Sequence, residues 1–194
     1  MNIWYEVIQY LGLLFGVIYV FGAVKEKVWC WPAGLLAITF YGIYAYFQGW
    51  YGEVFLQFFY IPFTIFGWVK WSKTKEKKDL AVSRTKIPLL IILLLIGAAL
   101  SVFFYFVLDA PPKFFEWLPP RTEHWRDSVT TGFSIVATWM VAKKKIENWL
   151  IWIVVNIIYA TMMFDQASIP FTILYSFYVL FSIYGFIEWR KNLK

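Results

Sequence analysis

The sequence predicts an all-α membrane protein of seven transmembrane helices, built as two parallel three-helix repeats joined by a connector helix. Three observations predict it: an extreme apolar composition, seven separate apolar stretches of spanning length, and a self-match at one fixed offset. Hydrophobic residues make up 61% of the 194 residues and charged residues only 15%, with a mean hydropathy of +0.61. Soluble domains carry about 25% charge and about 45–50% apolar residues, so this chain has too few charges to cover a water-facing surface. The 20 Phe, 13 Tyr and 12 Trp exclude disorder, because disordered chains are poor in aromatics.

A spanning helix needs about 20 mostly apolar residues. Seven stretches qualify, at 5–24, 28–47, 53–71, 87–108, 126–142, 146–165 and 169–189. The fourth is the most apolar, with the run from Pro88 to Gly97. Pro32, Pro88 and Pro170 fall near helix starts, where a missing N–H costs little. Pro62 lies inside the third stretch and predicts a kink. The first stretch has no basic residue before it, which argues against a cleaved signal peptide.

At an offset of 118 residues the chain matches itself without a gap. Lys25 meets Lys143, Lys27 meets Lys145, Trp31 meets Trp149, and Tyr41 meets Tyr159. Gln48 then meets Gln166, Phe59 and Tyr60 meet Phe177 and Tyr178, Gly67 meets Gly185, and Trp71 meets Trp189. There are 13 identities over positions 5–71, and they include helix ends, loop lysines and glycines. The expected organisation is a first repeat at 5–71, a basic loop and connector helix at 72–110, an outer loop at 111–125, a second repeat at 126–189 and a tail at 190–194. An odd connector returns the second repeat in the orientation of the first, the plan of transporters with a substrate site near the bilayer midplane.

Charge sets the expected orientation. Lys25, Lys27, the segment Lys70–Lys86, Lys143–Lys145, Arg190, Lys191 and Lys194 fall on one side, 15 of the 18 basic residues. The other side holds Lys113, Arg121 and Arg126, offset by Asp109, Glu116, Glu123 and Asp127. The positive-inside rule puts the first side in the cytoplasm, with the N-terminus outside and the C-terminus inside. The basic run Lys73–Lys78 then anchors topology and touches anionic lipid. The same logic reads the net charge of +6 as topology, with no nucleic-acid partner.

One Cys and one His leave no metal-ligand cluster, and neither a P-loop nor a zinc-protease motif is present. No cofactor or metal is expected, and no nucleophile–base pair points to an enzyme.

Polar side chains inside spans mark a cavity or helix–helix contacts, since an unpaired polar group facing lipid costs several kcal/mol. Asp127, Thr131, Ser134 and Thr138 follow i, i+4, i+7, i+11 and so share one helical face. Asp127, at the outer end, is also well placed to cap its helix. Trp149, Trp152 and Asn156 form a stripe at i, i+3, i+7. Two indoles on adjacent turns hold a flat or cationic ring, and an Asn amide then offers two donors and an acceptor. Near a span end, Trp149 also fits an interfacial anchor. Gln57 has no local partner and joins the candidates, as does Tyr41; Thr39, Thr64, Thr161 and Ser182 are the other in-span polar groups. No acid or base lies deep in a span, so passive exchange is the simplest expectation.

The segment Glu147–Asn156, containing W-x-x-W-x-x-x-N, resembles the signature of the PnuC family of nicotinamide riboside transporters. The stretches Asp127–Ser134 and Lys143–Glu147 and the ending Gly185–Arg190 are similar to that family too. The resemblance implies a bacterial inner-membrane vitamin transporter with a 3+1+3 plan similar to that of SWEET sugar carriers. It implies facilitated diffusion made directional by intracellular phosphorylation of the substrate, and it allows a homotrimer. A carrier of thiamine, riboflavin or a sugar, or a scaffold without transport, is the competing expectation.

Overall fold

The structure, a computed structural model, describes residues 3–47, 51–73, 80–109, 124–165 and 168–193. Its named elements are seven α-helices: α1 (Ile3–Val24), α2 (Cys30–Phe47), α3 (Tyr51–Ser72), α4 (Ile87–Asp109), α5 (His124–Ala142), α6 (Asn148–Asp165) and α7 (Ile169–Lys191). Each corresponds to one expected span. The outer loop 111–125 falls outside the described residues except at its last two positions, and the middle of the basic run, 74–79, and the Gln48/Gln166 pair fall outside them as well. Pro88 and Pro170 stand in the first turns of α4 and α7, and α3 is one continuous helix through Pro62.

Among the described residues, α1, α2, α4, α6 and α7 are long and apolar enough on their own to cross a membrane, and α5 is more polar. For α5 the packing gives the reason. It contacts α3, α4 and α6, and Ser128, Thr130, Thr131, Ser134 and Thr138 are all buried. Several of these hydroxyls also bond within the helix, Thr130 to the Arg126 carbonyl and Thr138 to the Ser134 carbonyl. A helix enclosed by protein tolerates such residues, whereas α4 leaves Ile91, Ile92, Leu95, Val102, Phe103 and Phe106 exposed. That outward apolar surface suits acyl chains and not water. The chain is a multi-pass, all-α membrane protein.

Packing runs α1 on α2, α2 on α3, α3 on α5, α5 on α6, α6 on α7, and α7 back on α1. Six helices thus close a ring, and α4 packs outside it on α5. Under the 118-residue offset the α3–α5 contact maps onto the α7–α1 contact.

Local geometry repeats at the same offset. Trp31 and Trp71 meet edge to face with centroids 5.3 Å apart, and Trp149 and Trp189 do the same at 5.3 Å. The Trp71 indole donates to the Ala142 carbonyl, and the Trp189 indole to the carbonyls of Ala23 and Val24. A side chain at Gly67 would overlap the Trp31 ring, and one at Gly185 the Trp149 ring, so both glycines are required by close approach. Helices α1 and α5 end alike: Glu26 and Lys144 are left-handed at φ 53° and 50°. Lys27 N–H returns to the Gly22 carbonyl at 2.8 Å and Lys145 N–H to that of Met140 at 2.9 Å. These are Schellman caps, which satisfy carbonyls the helix leaves open.

The basic end is tied across the ring. Ser83 N–H bonds the Lys144 carbonyl and Ile146 N–H bonds the Ser83 carbonyl, laying the strap before α4 along the α5–α6 turn. Glu147 accepts from both the N–H and the hydroxyl of Thr85. At the opposite end Arg126 of α5 pairs with Asp165 of α6 at 2.7 Å.

Candidate functional site

The six ring helices enclose a cavity of about 220 Å³. It is smaller than the roughly 300–1,000 Å³ of sites for drug-sized ligands, a size suited to one small solute. All six ring helices line it and α4 does not. From the first repeat come Gly12, Gly16, Tyr19 and Val20 of α1, Gly34, Ile38 and Tyr41 of α2, and Gln57, Tyr60 and Thr64 of α3. From the second come Ser134, Thr138 and Val141 of α5, Trp149, Trp152, Asn156 and Tyr159 of α6, and Phe171, Tyr175, Tyr178 and Ser182 of α7. No described lining residue is Asp, Glu, Lys, Arg or His.

The expected stripe on α6 does face this space. Asn156 is 4% exposed and donates through its amide nitrogen to Ser182 Oγ at 3.3 Å. Ser182 Oγ in turn donates to the Tyr178 carbonyl at 2.7 Å. A hydroxyl has one proton to give, so Ser182 accepts from Asn156, which fixes the amide orientation and leaves the Asn156 oxygen as an acceptor. Trp152 is half-buried on the wall one turn away.

Trp149 is placed differently from the paired ring-holder the spacing suggests. It reaches the wall, but it is 3% exposed, and its indole is largely covered by Trp189 and the Gly185 backbone. It forms the base of the cavity at the basic end more than a face of it.

Of the remaining expected residues, Gln57, Ser134 and Tyr41 line the cavity and Asp127 and Thr131 do not. Of the two expectations for the 127–131–134–138 face, cavity wall and helix–helix contact, Ser134 and Thr138 take the first place and Thr131 the second. The N-terminal stretch of α5 is closed over by packing: Thr131 is 1% exposed, and Gly132 lies so close to Gly97 and Ser101 of α4 that no Cβ fits there. Asp127 sits in the first turn of α5, where its backbone carbonyl accepts from the Thr130 hydroxyl. Ser134 keeps its expected place, 1% exposed with an Oγ that has no hydrogen-bond partner among the described residues.

Aromatic rings make up much of the outer wall. Tyr159 and Tyr175 stack at 4.7 Å, Tyr175 meets Tyr178 edge-on at 5.9 Å, and Tyr41 meets Phe171 edge-on at 6.0 Å. Tyr19, Tyr175 and the lining glycines Gly12, Gly16 and Gly34 were not singled out by the sequence pattern. Gly12 and Gly16 at i, i+4 on an apolar helix were the available signal.

The chemistry of the described lining can be read from its residues. That lining presents flat π surfaces, a carboxamide, hydroxyls and no charge, which is a recognition surface for a small aromatic solute carrying hydrogen-bonding groups.

Comparison with known proteins agrees with this architecture. The model of the nicotinamide mononucleotide transporter family matches residues 6–191. The nicotinamide riboside transporter PnuC of Neisseria mucosa is 28% identical over 195 residues, covering 92% of this chain and 70% of that protein. PnuC of Escherichia coli K12 is 24% identical over 207 residues, covering 96% and 86%. The crystal structure of the vitamin B3 transporter PnuC superposes with a TM-score of 0.76 at 24% identity, over 96% of this chain and 82% of that one. A six-helix ring around a cavity with no charged residue among its described lining, and a family match spanning nearly the full sequence, lead to one conclusion: the chain belongs to the PnuC family of membrane transporters.

Proposed function

We propose that the protein carries nicotinamide riboside across the bacterial inner membrane by facilitated diffusion, and that it is not an enzyme. The family description names the mononucleotide, whereas the similar relatives are named for the riboside. The observation that favours the riboside is the absence of any Lys or Arg among the described cavity residues. A phosphate adds about two negative charges, and burying them without a cationic partner is prohibitive. A pyridinium ring instead gains from aromatic faces, about 0.5–2 kcal/mol per contact. Trp152 suits that ring, Asn156 and Gln57 suit the carboxamide or ribose, and Ser134 and Tyr41 complete the polar lining. Trp149 supports Trp152 from below. Thr131 and Asp127 act from behind the wall.

Duplicated halves supply the transport step. The repeated Trp pairs, helix caps and the two equivalent inter-half contacts support a duplication of 5–71 and 126–189, with 72–110 as connector. Rocking of these halves about the cavity gives alternating access. The basic end is read as cytoplasmic, with the N-terminus outside. Phosphorylation after entry makes net uptake directional, because the charged product no longer fits.

Proteoliposome uptake of labelled riboside tests the proposal. Uptake is expected to equilibrate without an ion gradient and to be competed by unlabelled riboside, but not by the mononucleotide, thiamine, riboflavin or glucose. Mononucleotide flux at the riboside rate contradicts the substrate assignment.

A further inference from the structure

The two halves match in scaffold, and Tyr41/Tyr159 and Tyr60/Tyr178 also match on the cavity wall, but other lining positions differ in kind. Trp152 and Ser134 of the second half correspond, at the 118-residue offset, to Gly34 and Gly16 of the first. Asn156 corresponds to Ile38 and Thr138 to Val20. At these four positions the second half supplies a ring and hydrogen-bonding groups, and the first supplies space and apolar wall. Ser134 lines the cavity with a buried Oγ that has no hydrogen-bond partner among the described residues.

The glycines do more than leave space. A Cβ at Gly16 would overlap the hydroxyl oxygen of Tyr178 and stand 3.5 Å from its Cζ. A Cβ at Gly34 would lie 2.9 Å from Cδ2 of Tyr19. Both tyrosines line the cavity. Each glycine is therefore a notch that holds a tyrosine back against the first half.

Resting on the transport reading above, we infer that Gly16, by seating Tyr178, sets the upper size limit of the solute, with Gly34 and Tyr19 acting as a second notch of the same kind. A methyl group at position 16 displaces the Tyr178 hydroxyl from its notch, and the ring must move into the space a ligand would fill. Removing that hydroxyl leaves Cβ and Cζ at an ordinary contact distance, so the pair predicts its own rescue.

Two measurements on the full-length protein test this. In the first, Ser134→Cys is labelled with methanethiosulfonates of graded size, the parent protein with its buried Cys30 giving the blank. Gly16→Ala is expected to slow the larger reagents by about tenfold or more while sparing the methyl reagent, and adding Tyr178→Phe is expected to restore them. In the second, riboside binding is expected to fall by about tenfold in Gly16→Ala and to return in Gly16→Ala/Tyr178→Phe to the level of Tyr178→Phe alone. Equal slowing of all reagents, no slowing, or no rescue overturns the inference. If wild-type protein does not bind the riboside, the functional reading fails, and the labelling series still decides the role of Gly16.

Discussion

Glu26 and Lys144 occupy equivalent positions in the two halves, and they touch each other. Lys144 Nζ lies 2.7 Å from Glu26 Oε2, with the side chains 10% and 20% exposed. Both residues adopt the left-handed conformation that ends their helices. Contact between two equivalent residues places the pair close to the axis that relates the halves, at the basic end. Lys144 also stands 4.8 Å from the centre of the Trp71 ring, and Glu26 accepts from Asn192 on its other oxygen.

This pair predicts an ordering of variants. Lys144→Ala loses the ion pair and keeps the left-handed strain. Lys144→Gly loses the same pair but relieves the strain, about 1 kcal/mol for a residue with a Cβ. Thermal unfolding of the purified protein should therefore rank wild type above Lys144→Gly, and Lys144→Gly above Lys144→Ala. The ion pair is partly screened, so the loss in Lys144→Ala should be about 1–2 kcal/mol, between the exposed and buried limits. Equal stabilities for the Ala and Gly variants would remove strain from the account.

The tryptophans should divide into scaffold and site. Trp189 is fully buried and donates to two carbonyls of α1. Trp189→Ala should cost about 3–5 kcal/mol of stability, the range for deleting a buried aromatic side chain. Trp152→Ala and Asn156→Ala should each weaken riboside binding by more than about 1 kcal/mol with little change in melting temperature. If Trp189→Ala hurt binding at unchanged stability while Trp152→Ala did not, the site assignment would be wrong.

Uptake should be independent of pH across the neutral range. No described cavity residue is His, Asp, Glu, Lys or Arg, so no lining group changes charge between about pH 5.5 and 8.5. A sigmoidal or bell-shaped profile in proteoliposomes would point to a titrating group in the path.

At alkaline pH one surface contact should weaken. Lys25 is hydrogen-bonded to Tyr184 at 2.6 Å and to Glu188 at 2.9 Å, and these partners hold its pKa above the usual lysine value of 10.5. A raised pKa means that the contribution is whole below the unfolded value and fades as pH rises through the folded one. Wild type should thus melt above Lys25→Gln at pH 7 and 9 and converge with it beyond the folded pKa. A gap that persists there would show that the contact does not depend on charge.

How legible the molecule was depends on the kind of signal. Helix positions follow largely from apolar length, and every expected span has its helix. The i, i+3, i+7 stripe on α6 put Trp152 and Asn156 on one face, and the structure turns that face to the cavity, because face is a matter of periodicity. Depth is not: the spacing left Trp149 between ring-holder and interfacial anchor, and its packing on Gly185 and Trp189 sets it deep at the base of the cavity. The repeat held that information. Trp149 and Trp189 have tryptophan partners in Trp31 and Trp71, whereas Trp152 and Asn156 face Gly34 and Ile38 in the alignment. Thr131 was indistinguishable from Ser134 by spacing, since what separates them is how far α4 and its neighbours cover α5.

The most direct measurement is the position of nicotinamide riboside in an experimental structure of its complex with this protein. The account predicts density within the six-helix ring, with the pyridinium ring against Trp152 and its polar groups toward Asn156 and Ser134. A riboside bound outside the ring, or an occupied cavity in which Trp152 and Asn156 make no contact with it, would contradict the account.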